Sequence, residues 1–331
     1  MKINVTNTII GESKQSVKQI ILEINMNRLF ELSLSRRILT LFCLLGLVSS
    51  ITFADELRLI REKSFQMKDW QNVYVNASGA DVKVESWDKQ EVYVKIFSNR
   101  RAEEKMTFNV YQENEVVKVI VKRKGSFFNW FGGGLSVRIE IMTPKNYNAN
   151  VETSGGDIKV ANITGGFRLE TSGGDIITTN TDGKLKVETS GGEISLFKHK
   201  GAMDLSTSGG DIICKETTGD LNAETSGGDI KIDLSEGKLY ASTSGGDIII
   251  NYSGMNKGFQ AETSGGDIQV KLPASFKARA HFETSGGSIT NNFSNSKSER
   301  VRRGEVDAEF NGGGEILKLE TSGGDIRVDQ K

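Results

Sequence analysis

The heptapeptide ETSGGDI, which occupies Glu152–Ile158, recurs along the second half of the chain and decides its fold. Identical copies begin at Glu170, Glu224, Glu262 and Glu320, and close variants begin at Glu188, Ser206, Ser242 and Glu283. The serines of the first six copies follow one another at intervals of 18 residues. A fixed period of this kind indicates stacked units, each too small to bury its apolar face alone.

Apolar and polar residues alternate on both sides of each Ser-Gly-Gly. Leu185, Val187 and Thr189 precede one copy at every second position, and Ile230 and Ile232 follow another in the same way. A period of two is typical of a strand with one buried face, and the residues between are mostly charged or amidated. The pattern therefore predicts two short strands in each 18-residue unit.

Each ETSGGDI is predicted to be a strand end, a corner and a strand start. The inward Thr and the inward Ile are five residues apart, an odd number that strict alternation cannot span. We expect a bend at Ser-Gly-Gly, where glycine takes a positive φ at little cost. The predicted corner glycines are Gly155, Gly156, Gly173, Gly174, Gly191, Gly192, Gly209, Gly210, Gly227, Gly228, Gly245 and Gly246.

Two strands per unit, stacked unit upon unit, predict an all-β fold: a single-stranded parallel β-solenoid with about 18 residues per rung. Because crossovers between parallel strands are right-handed, we expect a right-handed β-helix. Residues 151–331 form the regular solenoid in this interpretation, and residues 55–150 form irregular N-terminal rungs and a cap. The last interval, from Ser285 to Ser322, is 37 residues long. This length predicts two rungs, with a degenerate copy of the repeat around Gly304–Val306.

The first 54 residues have the features of a secretory signal. Arg36 and Arg37 precede an apolar run, and small residues before Ala54 suit a signal peptidase. We predict cleavage after Ala54, and a start at Met26 would give a signal of ordinary length. An uncleaved anchor is the alternative. The protein is therefore expected to be exported, to the periplasm, the outer surface or the medium.

Charge and cysteine content narrow the functional classes. Removing six of 42 basic and three of 43 acidic residues with the first 54 leaves a net charge of about −4. This balance disfavours nucleic-acid binding, which needs a concentrated basic surface. Only Cys214 remains, so no internal disulfide can form, and its inward strand position predicts a buried small hydrophobe.

The tandem SGGDI pattern, the segment ASGADVKVESWD that follows Asn76, and the N-terminal signal together resemble a bacterial family of uncharacterised function. Its members carry the label of candidate adhesins and are related to head-domain adhesin modules. The resemblance covers about residues 72–331 and implies a β-solenoid at the cell envelope. It implies no catalytic residues.

An acidic column is the most evident candidate site. The residue after each Ser-Gly-Gly supplies it: Asp157, Asp175, Glu193, Asp211, Asp229, Asp247 and Asp267. Stacked carboxylates repel by about 1 kcal/mol per neighbouring pair in a water-like dielectric. One hypothesis is that Ca²⁺ between the rungs offsets this repulsion. The alternative, which we favour, is that each carboxylate accepts hydrogen bonds from corner amides; no other cofactor is predicted.

Catalysis is not predicted. An active site should occur once, as an irregular cluster, whereas these carboxylates are the same in every rung. His199 lies in a predicted turn and His281 at an outward strand position, and both are interpreted as ordinary surface residues. Trp70 and Trp87 are expected in the core or cap.

The loop GSFFNWFGGG, residues 125–134, is the best candidate for a partner contact. Its aromatic residues are Phe127, Phe128, Trp130 and Phe131. Aromatic side chains between glycines can enter a membrane interface or a groove of another protein. The alternative is a plug over the open end of the core.

These observations favour a non-catalytic, adhesin-like binding or scaffold module of the envelope, whose partner is an envelope protein or a glycan surface. A polysaccharide-active enzyme on the same fold is one alternative. A periplasmic regulator of a membrane-protein partner is the other.

Overall fold

Two long β-sheets make up the protein, for which a computed structural model describes residues 56–125 and 134–331. Leu57–Lys331 form one compact unit. Across the described residues the structure has 27 strands and one short helix, α1 (Arg100–Lys105). No helix in these ranges is long and apolar enough to cross a membrane. The predicted signal segment, with Met26 and Ala54, lies outside the described residues.

The first sheet has 13 strands and the second has 14. The first contains β1 (Arg58–Gln66), β3 (Asp81–Ser86), β4 (Glu91–Ser98), β7 (Val137–Thr143), β9 (Ile158–Ala161), β11 (Ile176–Asp182), β13 (Ile194–Lys200), β15 (Ile212–Thr217), β17 (Ile230–Leu234), β19 (Ile248–Tyr252), β21 (Ile268–Leu272), β23 (Ile289–Asn292) and β27 (Ile326–Gln330). The second contains β2 (Asn72–Ala77), β5 (Met106–Glu113), β6 (Val116–Arg123), β8 (Asn148–Thr153), β10 (Phe167–Thr171), β12 (Leu185–Glu188), β14 (Met203–Ser206), β16 (Leu221–Glu224), β18 (Leu239–Thr243), β20 (Phe259–Thr263), β22 (Ala278–Thr284), β24 (Ser296–Arg302), β25 (Glu305–Phe310) and β26 (Ile316–Thr321).

The regular rungs each contribute one strand to either sheet. Equivalent residues of neighbouring rungs pair in parallel register, as Ile212 does with Ile230 in the first sheet and Leu221 with Leu239 in the second. The predicted parallel β-solenoid is confirmed. Because the register is kept from rung to rung, the residues at each position of the repeat lie above one another and form a column.

The inward columns are the core. One of them consists of isoleucines that are fully buried: Ile158, Ile176, Ile194, Ile212, Ile230, Ile248, Ile268 and Ile326. Burying one such side chain contributes about 1.5–3 kcal/mol. Apolar residues of the second sheet face this column, as the alternation in the sequence predicts.

The rungs at the N-terminal end are not stacked in chain order. The pair β2–β3 lies between the rung formed by β6–β7 and the rung formed by β8–β9. Antiparallel strands complete this end: β5 pairs with β6, β4 pairs with β7, and β1 pairs with β4. The regular parallel stack therefore ends here in ordinary antiparallel pairing.

The C-terminal end shows a second departure from chain order. Strands β26 and β27, which carry the last ETSGGDI, insert between the rung β20–β21 and the rung β22–β23. Residues around Gly304–Val306 join β24 to β25 in an antiparallel hairpin. The prediction of a degenerate repeat and a further parallel rung there is wrong. Phe293 stacks on Phe310 of this hairpin with ring centroids 4.4 Å apart, and both side chains are buried.

Candidate functional site

Each Ser-Gly-Gly corner is held by a threonine hydroxyl that bridges two rungs. Thr243 Oγ1 donates to the carbonyl oxygen of Gly228 in the preceding rung at 2.9 Å and accepts from the N–H of Gly246 in its own rung at 3.4 Å. Both bonds recur at Thr171, Thr189, Thr207, Thr225, Thr263, Thr284 and Thr321. The buried threonine column therefore ties every corner to its neighbour.

The two glycines of a corner have different roles. A Cβ on Gly228 would lie 2.1 Å from the carbonyl oxygen of Gly210, whereas a Cβ on Gly227 would come no closer than 3.6 Å to the neighbouring rung. The same close approach occurs at Gly156, Gly174, Gly192, Gly210 and Gly246. No glycine of these six corners has a positive φ, so that expectation is wrong. Glycine is needed here because the backbones of successive rungs approach too closely for a side chain.

Positive φ occurs instead near the opposite turn. Gly183, Gly201 and Gly219 have φ values of 126°, 124° and 125°. Before each of these turns a residue that is not glycine also adopts the left-handed conformation: Asn180, Lys198 and Glu216. Asn162 does the same one rung earlier, before Gly165. This residue interrupts the alternation of the strand and turns the next side chain into the core.

The carboxylates of the acidic column have hydrogen-bond partners within the protein. Asp229 Oδ1 accepts from the N–H of Asp247, the residue above it, at 3.0 Å. Equivalent bonds are accepted by Asp157, Asp175, Asp211, Asp247 and Asp267. The bond from Asp247, followed by the contact with Lys231, lowers the pKa of the Asp229 carboxyl. The carboxylates thus hold the main chain of the next rung in place, using the equivalent residue's amide rather than the glycine amides.

The calcium hypothesis for this column stays a prediction. One oxygen of most of these carboxylates already binds an amide, so a calcium ion would have to use the other oxygen and main-chain carbonyls. In the part of the chain that the structure describes, the groups of three candidate ligand atoms within 4.8 Å of one another both contain His281. A calorimetric titration with Ca²⁺ tests the column directly.

A second outward column runs on the other side of the corners, along the second sheet. It contains Glu152, Glu170, Glu188, Ser206, Glu224, Ser242, Glu262, Glu320 and Glu283 in spatial order. We call it the Glu/Ser column. Two shallow grooves lie beside it, of about 400 Å³ and 340 Å³, lined by Glu, Ser and Thr.

His281 lies at the C-terminal end of the Glu/Ser column, within an irregular cluster of charges. Its Nδ1 is 2.7 Å from Asp307 Oδ1, and its Nε2 is 3.7 Å from Glu283 Oε2. Arg300 approaches Asp307 at 3.7 Å. The hydrogen bond to Asp307 raises the pKa of His281, against the effect of partial burial. The sequence did not reveal this cluster, because Asp307 reaches His281 only through the antiparallel pairing of β25 with β22.

His199 is buried, contrary to the sequence interpretation. Lys198 has a φ of 58°, and this left-handed residue turns the His199 side chain inward. His199 Nδ1 is 2.9 Å from Thr181 Oγ1, while Nε2 has no hydrogen-bond partner. Burial lowers the pKa of His199 to about 4. The ring is therefore neutral at neutral pH and inaccessible to a ligand.

Three other predicted positions have clear outcomes. Cys214 is buried as predicted, and burial raises the pKa of its thiol to about 12. Trp70 is 59% exposed, so it is not a core residue. Trp87 is partly buried and stacks on Tyr93 at 5.7 Å between ring centroids.

The aromatic candidates Phe127, Phe128, Trp130 and Phe131 lie outside the described residues. Their segment connects β6 to β7, which is the connection that Ser-Gly-Gly makes in the regular rungs. Asn99 anchors one end of it, because its Nδ2 donates to the carbonyl oxygen of Gly134.

Comparison with known families agrees with this architecture. The family model Toastrack DUF4097 matches residues 70–329, which contain every rung of the solenoid. The chain belongs to this family. Among curated proteins, none matches the sequence. The match thus covers the repeated part of the chain but not β1, the first strand of the N-terminal end.

Several solved structures are similar to this Toastrack protein. A candidate adhesin from Bacteroides fragilis NCTC 9343 is 13% identical, with a TM-score of 0.42, over 83% of this chain and 98% of the other. A candidate adhesin from Parabacteroides distasonis ATCC 8503 is 13% identical, with a TM-score of 0.31, over 83% and 98%. A candidate lipid binding protein from the latter strain is 12% identical, with a TM-score of 0.32, over 82% and 96%.

Proposed function

We propose that this protein is a non-catalytic, adhesin-like binding or scaffold module of the cell envelope, and that its ligand is a glycan surface. The observation that supports the proposal is the Glu/Ser column, which offers similar polar side chains in successive rungs beside shallow grooves. Extended repetitive surfaces are what solenoids use for binding. A polymer with regularly spaced hydroxyl groups can make the same contact in one rung after another.

The exposed apolar side chains favour a polar ligand over an apolar protein partner. Within the described ranges, the large ones lie on separate elements, among them Leu59 on β1, Tyr111 on β5, Phe197 on β13 and Ile249 on β19. Protein interfaces usually need a contiguous apolar centre. The grooves, in contrast, are lined by carboxylates and hydroxyls that accept or donate hydrogen bonds.

A binding assay against envelope polysaccharides tests the proposal. The triple variant Glu152→Gln, Glu170→Gln, Glu188→Gln neutralises one groove and should weaken binding at least tenfold. The matched control, Glu103→Gln, Glu104→Gln, Glu113→Gln, removes the same charge from the N-terminal elements and should bind normally. Equal binding by all three proteins would exclude the groove as the contact surface.

Location in the envelope rests on the predicted signal segment. Cell fractionation combined with surface proteolysis should find a mature chain that begins near Asp55, outside the cytoplasm. Recovery of the uncleaved protein in the cytoplasm would contradict the proposal. Protection of the exported protein from surface protease would favour the periplasm over the outer surface.

The alternative of a polysaccharide-active enzyme has one specific place in the fold. Only the cluster at His281 combines an imidazole with carboxylates and basic residues in a non-repeated arrangement, within the described ranges. Chain cleavage that is lost in His281→Gln would establish the enzyme. Binding without cleavage supports the non-catalytic module.

The regulator alternative depends on the aromatic residues Phe127, Phe128, Trp130 and Phe131, which are predicted from the sequence to contact a partner. Capture of a membrane-protein partner that is lost in Phe127→Ala with Trp130→Ala, and kept in the Glu152, Glu170 and Glu188 triple variant, would favour it. Loss of capture only in the triple variant would favour the Glu/Ser column.

A further inference from the structure

We propose that His281, Glu283 and Glu320 form a binding site for a transition-metal dication, best matched to Zn²⁺. Candidate ligand atoms of the three side chains lie within 4.8 Å of one another. The site is separate from the repeated acidic column and occurs once in the described part of the chain. It goes beyond the proposed glycan contact, because it needs an imidazole that the other rungs lack.

The two sheet pairings of β22 bring these ligands together. His281 and Glu283 are two residues apart on β22, so their side chains lie on the same outward face. Strand β26 pairs in parallel with β22 and places Glu320 directly beside Glu283. All three ligands are therefore on strands, which hold them more rigidly than loops would.

Asp307 prepares the imidazole for a metal. It lies opposite His281 on the antiparallel strand β25, with Oδ1 2.7 Å from Nδ1. An ionised carboxylate only accepts hydrogen bonds, so Nδ1 carries the proton and the lone pair is on Nε2. Nε2 is also the nitrogen that faces Glu283, at 3.7 Å. A carboxylate behind a metal-binding histidine fixes its tautomer and its ring orientation in this way.

The surrounding charges favour the Nε2 side over the Nδ1 side. On the Nδ1 side, Arg300 contacts Glu305 at 3.6 Å and Asp307 at 3.7 Å, so that group already has its cation. On the Nε2 side, Lys318 is shared between Glu320 at 2.8 Å and Glu262 at 3.3 Å. A metal that displaces Lys318 from Glu320 leaves this lysine its bond with Glu262.

The type of ligand indicates the type of metal. One imidazole nitrogen and two carboxylate oxygens suit Zn²⁺, with water as the fourth ligand of a tetrahedral site. Ca²⁺ takes six to eight oxygen ligands and makes little use of nitrogen. The arrangement therefore distinguishes this site from the calcium hypothesis for the acidic column.

Calorimetric titration of the untagged full chain with ZnCl₂ tests the proposal. We expect one Zn²⁺ per chain and a rise in melting temperature that a chelator reverses. His281→Gln and Glu320→Gln should each reduce the affinity at least 100-fold. The matched control Glu188→Gln, from the same column but without a histidine neighbour, should bind Zn²⁺ as the unmodified protein does.

Asp307→Asn separates a prepared site from a fortuitous one. Loss of the carboxylate behind His281 should weaken Zn²⁺ binding about 10–100-fold while the fold is kept. Unchanged circular dichroism and melting of each metal-free variant control for folding. Absence of Zn²⁺ binding, or equal binding by the His281→Gln and Glu188→Gln variants, would overturn the proposal. Neither result depends on whether a glycan binds.

Discussion

At the scale of single residues, the repeat motif is specified by the distance between backbones. Only the second glycine of each Ser-Gly-Gly faces a carbonyl of the preceding rung at a separation that excludes a Cβ atom. In the six corners from Gly155 to Gly246, the first glycine faces open space or ordinary van der Waals contacts. The two positions should therefore respond very differently to the same methyl group.

Gly228→Ala should destabilise the protein by about 1–3 kcal/mol or more, because the rungs must separate to admit the methyl group. Gly227→Ala, one residue away, should change the free energy of unfolding by less than about 0.5 kcal/mol. Urea unfolding of both variants measures the difference. Equal losses in the two variants would contradict the assigned close approach of Gly228 to Gly210.

His199 makes the stability of the protein depend on pH. Its folded pKa of about 4 lies below its ordinary value of 6.5, so the unfolded chain binds the proton first. Stability is therefore complete above pH 6.5 and falls as the pH drops toward 4, by about 3 kcal/mol in total at 1.36 kcal/mol per pH unit. Below pH 4 the contribution of this residue is constant.

His199→Gln should remove this dependence, because glutamine keeps a partner for Thr181 but does not titrate. The measurement is the free energy of unfolding of both proteins at pH 7 and at pH 4.5. The difference between the two proteins should shift by about 2–3 kcal/mol in favour of the variant at the lower pH. A constant difference would show that His199 is accessible and titrates normally.

At the scale of secondary-structure elements, the threonine column joins the strands across the corners. Thr243→Val keeps the shape of the side chain but leaves the Gly228 carbonyl without this donor, and should cost about 1–3 kcal/mol. Thr178 is a contrasting residue, fully buried on β11 with no partner for Oγ1. Thr178→Val should therefore be neutral or stabilising. Thermal melting of the two variants separates a bonded hydroxyl from an unbonded one.

The strands and their inward faces could be predicted from the sequence, because alternation and an 18-residue period report directly on burial. The orientation of His199 could not, since the left-handed conformation of Lys198 leaves no clear signal in a segment rich in lysine. The cluster at His281 could not be predicted from the sequence either. It depends on the register of β22 with β25, and nothing in the local sequence fixes that long-range antiparallel pairing.

At the scale of the whole solenoid unit, the rung order could not be read from the repeat. The copies at Glu283 and Glu320 are nearly the same in sequence, so either one would fit beside the rung β20–β21. The structure places the later copy there, and the earlier one farther out. The connection through β24 and β25, which does not follow the repeat, permits this return.

Hydrogen exchange distinguishes the observed rung order, with β26 and β27 inserted, from stacking in chain order. Amides of β26 and β27 lie between strands on both sides, so they should exchange as slowly as those of β20 and β21. Amides of β24, at an edge of the second sheet, should exchange much faster. Stacking in chain order would make residues 316–330 the outermost rung and reverse this ranking. Mass spectrometry of peptides from the two regions gives the answer.

The inserted rung also has a consequence for biosynthesis. A chain that emerges from the ribosome N-terminus first can complete its rungs one by one up to β21, but the next place in the stack is filled by residues 316–330. Until those residues have been made, β22 and β23 lack the parallel neighbour that they have in the finished protein. The segment from β22 to β27 should therefore fold in a single late event, whereas the preceding rungs can form progressively as the chain emerges.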